Sequence, residues 1–324
     1  MLLFCWCLFF LSNTIFPLTS AFRIAVDQIN SNSNLLPHTE LKFAVQDSRS
    51  SHYETSKATK YLLETSKVDV ILLGGGDVFA AHEVAPNLAL VGHSSTSPKL
   101  SDKSIYPNFV RTCISSSLIA RNIAAFIRSD AIGATHLSII SGSDTYSSDL
   151  AHSFLQHANS RSIHVLSTVW LAAGSTHFVT PITNFFQDLK TNHEAKDGAQ
   201  YLVVVFAQAI DTINVLKAAR ASGQTGQSVT WILTDAVLDE SDLFQQKMGT
   251  ELEGLMAGSF VVRQDKGQQS VQYASLWNTW KSKQTTAGTP TPGGAGDSSG
   301  TTYGVRGTGP TCNAGVDSDG TSSK

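Results

Sequence analysis

The stretch THLSIISGSDTYSSDLAHSFLQHANSRSIHVLSTVWL, residues 135–171, decides the fold. It opens with an apolar run, THLSIISGS, that reads as a strand. SDLAHSFLQHANS follows with apolar residues at helical spacing, and SIHVLSTVWL is again a strand. A strand, a helix and a strand with short connections are the alternation of a parallel sheet covered by helices. The same alternation extends to either side. Upstream lie the helix AFRIAVDQINSN, the strand LKFAVQDS, the helix SHYETSKATKYLLETSK and the strand VDVILLGGG. A short helix, DVFAAHEVAPNL, breaks at Pro86 before the strand LALVG, and SSSLIARNIAAFIRSD is a helix. Downstream come the helix HFVTPITNFFQDLKTN, the strand AQYLVVVFA, the helix QAIDTINVLKAARASG and the strand SVTWILTD. Strands this uniformly apolar are buried on both faces, so the class is α/β, with parallel sheets covered by helices on each side.

The 324 residues suffice for two domains of ordinary size, and 41% apolar residues support a substantial core. Charge is sparse, with a net of −3 and no basic run, which gives nucleic acid no electrostatic footing as a partner. The first twenty residues stand apart. Residues 2–11 are nearly all apolar, too short to span a bilayer, and small residues follow near Ser20 and Ala21. This segment reads as a secretory signal or, alternatively, as the remnant of a first strand, NTIFPL. Cys5 and Cys7 lie within it. Cys113 and Cys312 could pair or serve other chains. From residue 284 to 324 the chain is Gly, Ser, Thr, Pro and Asp with few apolar residues, which reads as a flexible tail.

Ligands of open parallel sheets bind beyond the carboxyl ends of the strands, where helix N-termini begin. At those places stand Gly74, Gly75, Gly76 and Asp77 after VDVILL, and Ser94, Ser95 and Thr96 after LALVG. Asp144 and Tyr146 follow LSIISGS, Gln208 follows YLVVVFA, and Asp235 ends TWILT. Glycine admits close backbone approach, hydroxyls donate to a carboxylate, and an aspartate holds an ammonium. The set therefore suits a small zwitterion. Each residue also has a plain structural reading, as helix cap, turn or half-buried aromatic. Catalysis finds less support. GHSST at 92–96 imitates a G-x-S-x-G nucleophile elbow but carries Thr96 in place of the second glycine. His82–Glu83 lacks the second histidine of a zinc-protease motif, and neither a Walker A loop nor a dinucleotide fingerprint occurs. No cofactor or metal is expected.

AFRIAVDQIN, LLPHTELKFAVQDS, VGHSSTSPKLSDKSIYPNFVRT and WILTDA resemble the extracellular ligand-binding module of receptors related to type I periplasmic binding proteins. Within that group the sequence is most similar to class C G-protein-coupled receptors of the metabotropic glutamate and GABA-B type. The resemblance implies two Rossmann-like lobes joined by a hinge. Residues 21–114 would form lobe 1, 115–253 lobe 2, and 254–283 the return to lobe 1. It implies a non-catalytic receptor module at the extracellular face of a membrane, or secreted, that binds an amino-acid-like ligand and closes on it. Ser94, Ser95 and Thr96 would cradle the carboxylate from lobe 1, with Gly76 beside them, and Tyr146 and Asp235 would complete the grip from lobe 2. Ser116 falls where glutamate receptors carry an acidic residue, which argues against a glutamate-like ligand. A dimer through lobe 1, with helix 79–85 contributing, and a membrane domain outside this chain are the implied partners. The family's first strand looks replaced by the N-terminal apolar run, the link VAPNLALVG looks short, and the last lobe 1 elements look absent, so the fold is expected to be incomplete at both ends. A stand-alone solute-binding protein and a degenerate, non-binding fragment are the alternative readings.

Overall fold

The computed structural model describes residues 4–6, 15–49, 51–192, 201–224, 226, 228–239, 255–256 and 258–262. The tail and most of the expected return segment lie outside these residues, as does Cys312. The chain divides into two compact units. The first holds the residues up to His93 together with Asn108–Val110; the second holds Ser94–Pro107 and runs on from Arg111.

In the first unit, β1 (Phe4–Trp6) pairs in parallel with β2 (Leu41–Phe43), so part of the apolar N-terminal run occupies a strand position. Helix α1 (Ile15–Asn30) starts six residues earlier than AFRIAV suggests. It takes in the part of NTIFPL that was read as a strand remnant, with Pro17 in the first turn, where no intrahelical N–H is needed. Asn30 clamps the far end of α1 to β2: its Nδ2 donates to the Leu41 carbonyl (2.9 Å) and its Oδ1 accepts from the Leu41 amide (2.8 Å). The strand expected over LKFAVQDS is shorter than its pattern and ends at Phe43. Helix α2 (His52–Tyr61) is capped by Ser51 and runs into a π-helical turn, Leu62–Ser66. β3 (Val70–Leu73), β4 (Ala89–Gly92) and β5 (Phe109–Arg111) form a second parallel sheet in that order, with α3 (Asp77–Val84) between β3 and β4.

The second unit is a five-stranded parallel sheet. Helices α4 (Ser116–Arg128), α5 (Thr145–Asn159), α6 (Val179–Asn192), α7 (Ala209–Ala221) and α8 (Ala236–Asp239) alternate with β6 (His136–Gly142), β7 (His164–Leu171), β8 (Tyr201–Phe206), β9 (Val229–Thr234) and β10 (Phe260–Val262). The order β7-β6-β8-β9-β10 is that of a doubly wound sheet, with its reversal between β6 and β8. Alternate strand residues feed two separate cores. Ile140, Val203, Val205, Trp231 and Leu233 meet α6 and α7 through Ile182, Phe186 and Leu216. Leu137, Ile139, Val204, Phe206 and Ile232 meet α4 and α5 through Ile123, Ile127, Leu150 and Phe154. The central strands β6, β8 and β9 are wrapped by apolar side chains on both sides, which is why these segments are almost continuously apolar, whereas the edge strands β7 and β10 stay partly exposed. Helix α4 shows the complementary pattern: Ile119, Ala120, Ile123, Ala124 and Ile127 are buried on one stripe while Arg121 and Asn122 face water. Among the described residues no helix is long and apolar enough to cross a membrane.

Candidate functional site

The strand order reverses between β6 and β8, the place where open parallel sheets bind ligands, and helices α5 and α7 begin just beyond the carboxyl ends of these two strands. Asp144 caps α5, accepting from the Ser147 amide (3.1 Å) and hydroxyl (2.5 Å). Gln208 stands at the N-cap position of α7 without a side-chain cap bond, and its Nε2 donates instead to Asp144 Oδ1 (3.4 Å). Gly142, the last residue of β6, is tied to this cap: a Cβ there would stand 2.9 Å from Asp144 Oδ2 and 3.1 Å from Ser147 Oγ. On α7, Asp211 is buried and accepts from the Gly174 amide with both oxygens (3.3 and 3.1 Å). Burial pushes its carboxyl above the usual carboxylate range against the Gly174 bond, and the nearby charge of Asp144 pushes the same way.

Tyr146 lies in the first turn of α5, and Asp235 directly follows β9. The Tyr146 hydroxyl donates to Asp235 Oδ1 at 2.9 Å, so two residues 89 positions apart share one hydrogen bond. One turn along α5, Asp149 takes up the hydroxyl loop: Ser97 Oγ donates to Asp149 Oδ2 (2.5 Å), and Lys99 Nζ lies 3.6 Å from Asp149 Oδ1. Thr96 is joined to α4, its carbonyl accepting from the Ser116 amide (2.8 Å) and its Oγ1 from the Ser116 hydroxyl (3.0 Å). Helix α5 thus bridges the loop 94–101 to the Tyr146–Asp235 pair inside the second unit. The family resemblance implies that this loop belongs to lobe 1; by compactness residues 94–107 group with the second unit.

The members of the hydroxyl run differ sharply. Ser94 is exposed, Thr96 is half-buried, and Ser95 and Ser97 are buried. Ser95 Oγ has no hydrogen-bond partner among the described residues, and neither has Thr234 Oγ1, the last side chain of β9 before Asp235. An unpartnered buried hydroxyl is costly, and a ligand atom would satisfy it. Gly76 lies in the first unit as the N-cap of α3. It is exposed, and a Cβ added there meets nothing within 4 Å. Its neighbour Gly75 is the one that needs to be glycine, at φ +52°. Asp77 is engaged structurally, accepting from Ser48 Oγ (2.7 Å) and Thr55 Oγ1 (2.9 Å).

Two residues that shape the loop, Arg111 and Asp149, escape the sequence reading. Arg111, at the end of β5, donates from Nη1 to the carbonyls of Ser95 (3.1 Å) and Ser97 (2.9 Å) and from Nη2 to Ser101 Oγ. Cys113 sits beside it, half-buried, its thiol pushed up by burial and drawn down by the guanidinium. Asp149 looks like any helix-surface carboxylate until Ser97 is seen on it. Bonds to backbone carbonyls leave no trace in residue spacing; a charged residue closing an apolar strand was the only hint. Among the described residues no three His, Cys, Asp or Glu side chains gather as a metal cluster.

Residues 18–295 match the receptor family ligand-binding region. The gamma-aminobutyric acid type B receptor subunit 1 of Mus musculus and that of Rattus norvegicus are each 32% identical to this chain over 105 residues. The matched stretch is 30% of this chain and spans 11% of the length of each of those proteins.

Proposed function

The chain belongs to the receptor family ligand-binding region, and from that premise we propose that it recognises a small amino-acid-like ligand through the residues gathered around α5. The carrying observation is that gathering: the hydroxyl loop, Tyr146 and Asp235 all meet this one helix at the carboxyl end of the sheet. Ser95, with its unpartnered hydroxyl, and Thr96, with Ser94 at the mouth, receive the ligand carboxylate. Tyr146 and Asp235 receive the ammonium, the phenol yielding its bond to Asp235 as the ligand arrives. The two units close on the ligand, because a ligand shifts such an equilibrium only by binding one state more tightly. The relatives' printed name makes gamma-aminobutyric acid a natural first candidate, and the kinship with a receptor supports an extracellular setting and a membrane-borne partner domain.

The test is isothermal titration calorimetry of the full chain against the common amino acids and gamma-aminobutyric acid. At least one should bind. Asp235→Asn, Tyr146→Phe and Thr96→Ala should each weaken that binding about tenfold or more, the scale of one lost charge-assisted hydrogen bond. Small-angle scattering should show a smaller radius of gyration with the bound ligand. A folded chain that binds none of these compounds would point to the degenerate reading. Binding that ignores all three substitutions would relocate the site.

A further inference from the structure

We propose that His136 and His164 form a two-imidazole site for a late first-row divalent metal ion, Zn2+ or Cu2+, on the amino-terminal edge of the second unit's sheet. It lies at the opposite end of the strands from the ligand-binding residues and is independent of them. The two histidines open β6 and β7 and are direct register partners on adjacent parallel strands, so their side chains leave the same face. The backbone holds that register, the His164 amide donating to the Thr135 carbonyl at 2.7 Å. Both side chains are exposed, and their rings stack with centroids 5.1 Å apart and planes 28° from parallel.

That separation is what chelation needs. With a metal–nitrogen bond of about 2.1 Å and the nitrogen about 1.1 Å from its ring centre, two imidazoles on one tetrahedral ion have centres about 5.2 Å apart. Turning the two exposed side chains about both Cα–Cβ and Cβ–Cγ would bring the lone pairs onto a common point. Thr135 supplies the outer shell: its Oγ1 lies 2.8 Å from His136 Nδ1. When Nδ1–H donates to that oxygen, Nε2 carries the lone pair, which is the tautomer a metal selects. Imidazole ligands favour Zn2+ and Cu2+ over Mg2+ and Ca2+, and water fills the remaining positions of this open site. The ion would bridge the edge strand β7 to β6 just before the register shift between Leu137 and Ile139, where the ladder is interrupted.

The experiment titrates the full, tag-free chain with ZnCl2 and, separately, with CuCl2 by calorimetry in a non-coordinating buffer. The Cu2+ form is also followed by electron paramagnetic resonance. One equivalent should bind, with nitrogen hyperfine structure from two imidazoles. His136→Ala and His164→Ala should each weaken binding about tenfold or more, and Thr135→Val should weaken it by a smaller factor. His38→Ala, at an exposed histidine in the first unit, should leave it unchanged. Circular dichroism verifies that each variant is folded. The proposal is overturned if the parent chain binds neither ion, or if both alanine variants bind as tightly as the parent.

Discussion

The Ser95 hydroxyl is fully buried, and no group among the described residues bonds it. Leaving such a group unpaired costs about 1–3 kcal/mol relative to a partnered one. Thr234, 2% exposed at the end of β9, is in the same position. Deleting the polar atom without changing much shape should therefore help the free chain. Ser95→Ala and Thr234→Val are each expected to raise the thermal midpoint in scanning calorimetry, by a stability gain of about 1 kcal/mol. Ser95→Ala should at the same time weaken the ligand. That opposition separates a hydroxyl kept for binding from one kept for packing, since a packing hydroxyl would lower the midpoint when removed. Thr96 and Ser97 behave differently, because Ser116 and Asp149 already satisfy them. Removing either hydroxyl leaves a partner behind and should destabilise the chain.

At the scale of elements, caps and clasps decide local order. Asp144 is the N-cap of α5, so Asp144→Ala should cost about 1 kcal/mol, read from the urea midpoint, while Asp144→Asn retains most of it. The loop 94–101 is organised by Arg111 through two carbonyls and a hydroxyl, a fan that the single ammonium of Arg111→Lys cannot span. Amide hydrogen exchange in 95–101 should accelerate about tenfold in that variant, with α6 and α7 unchanged. These features also mark how far the sequence could be read. Strands β6, β8 and β9 were plain, because burial on both faces makes a strand continuously apolar, and α4 was plain from its Ile-Ala stripe, whereas β10, which joins β9 in the same sheet, was not read as a strand. The short extent of β2, the early start of α1 and the siding of Ser94–Pro107 with the second unit were hidden. The first two depend on what packs against the chain, and the third on Arg111, Asp149 and Ser116, whose contacts span 10 to 52 positions. Tyr146 and Asp235 were each legible as strand-end residues; their mutual hydrogen bond was not, since nothing local encodes a partner 89 residues away.

For the molecule as a whole, acid sensitivity is a balance of two groups in different units. His93 follows β4 in the first unit, and burial lowers it from the ordinary 6.5 to about 4. The unfolded chain therefore takes up this proton first as the pH falls. The stability that depends on a neutral His93 is complete above about 6.5 and lost progressively down to about 4, a swing of about 3 kcal/mol at most. Asp211 in the second unit carries the opposite sign. Its carboxyl is raised, mainly by burial, so the folded chain holds the proton longer than the unfolded one. Its contribution favours folding below its raised value and declines as the pH rises through the region above the ordinary carboxylate range. Just above the ordinary carboxylate range the two slopes oppose each other, so each group offsets part of the other's pH dependence in the parent chain. His93→Gln removes the rising limb, so its stability should rise less with pH between about 4 and 6.5 than that of the parent chain. Asp211→Asn keeps an oxygen for the Gly174 amide and removes the falling limb, so it should steepen the loss on acidification and gain stability near neutrality. Denaturant midpoints at half-unit pH steps for the three proteins measure this directly. Parallel curves for all three would mean that neither group titrates differently in the folded chain, and that acid sensitivity arises elsewhere in the molecule.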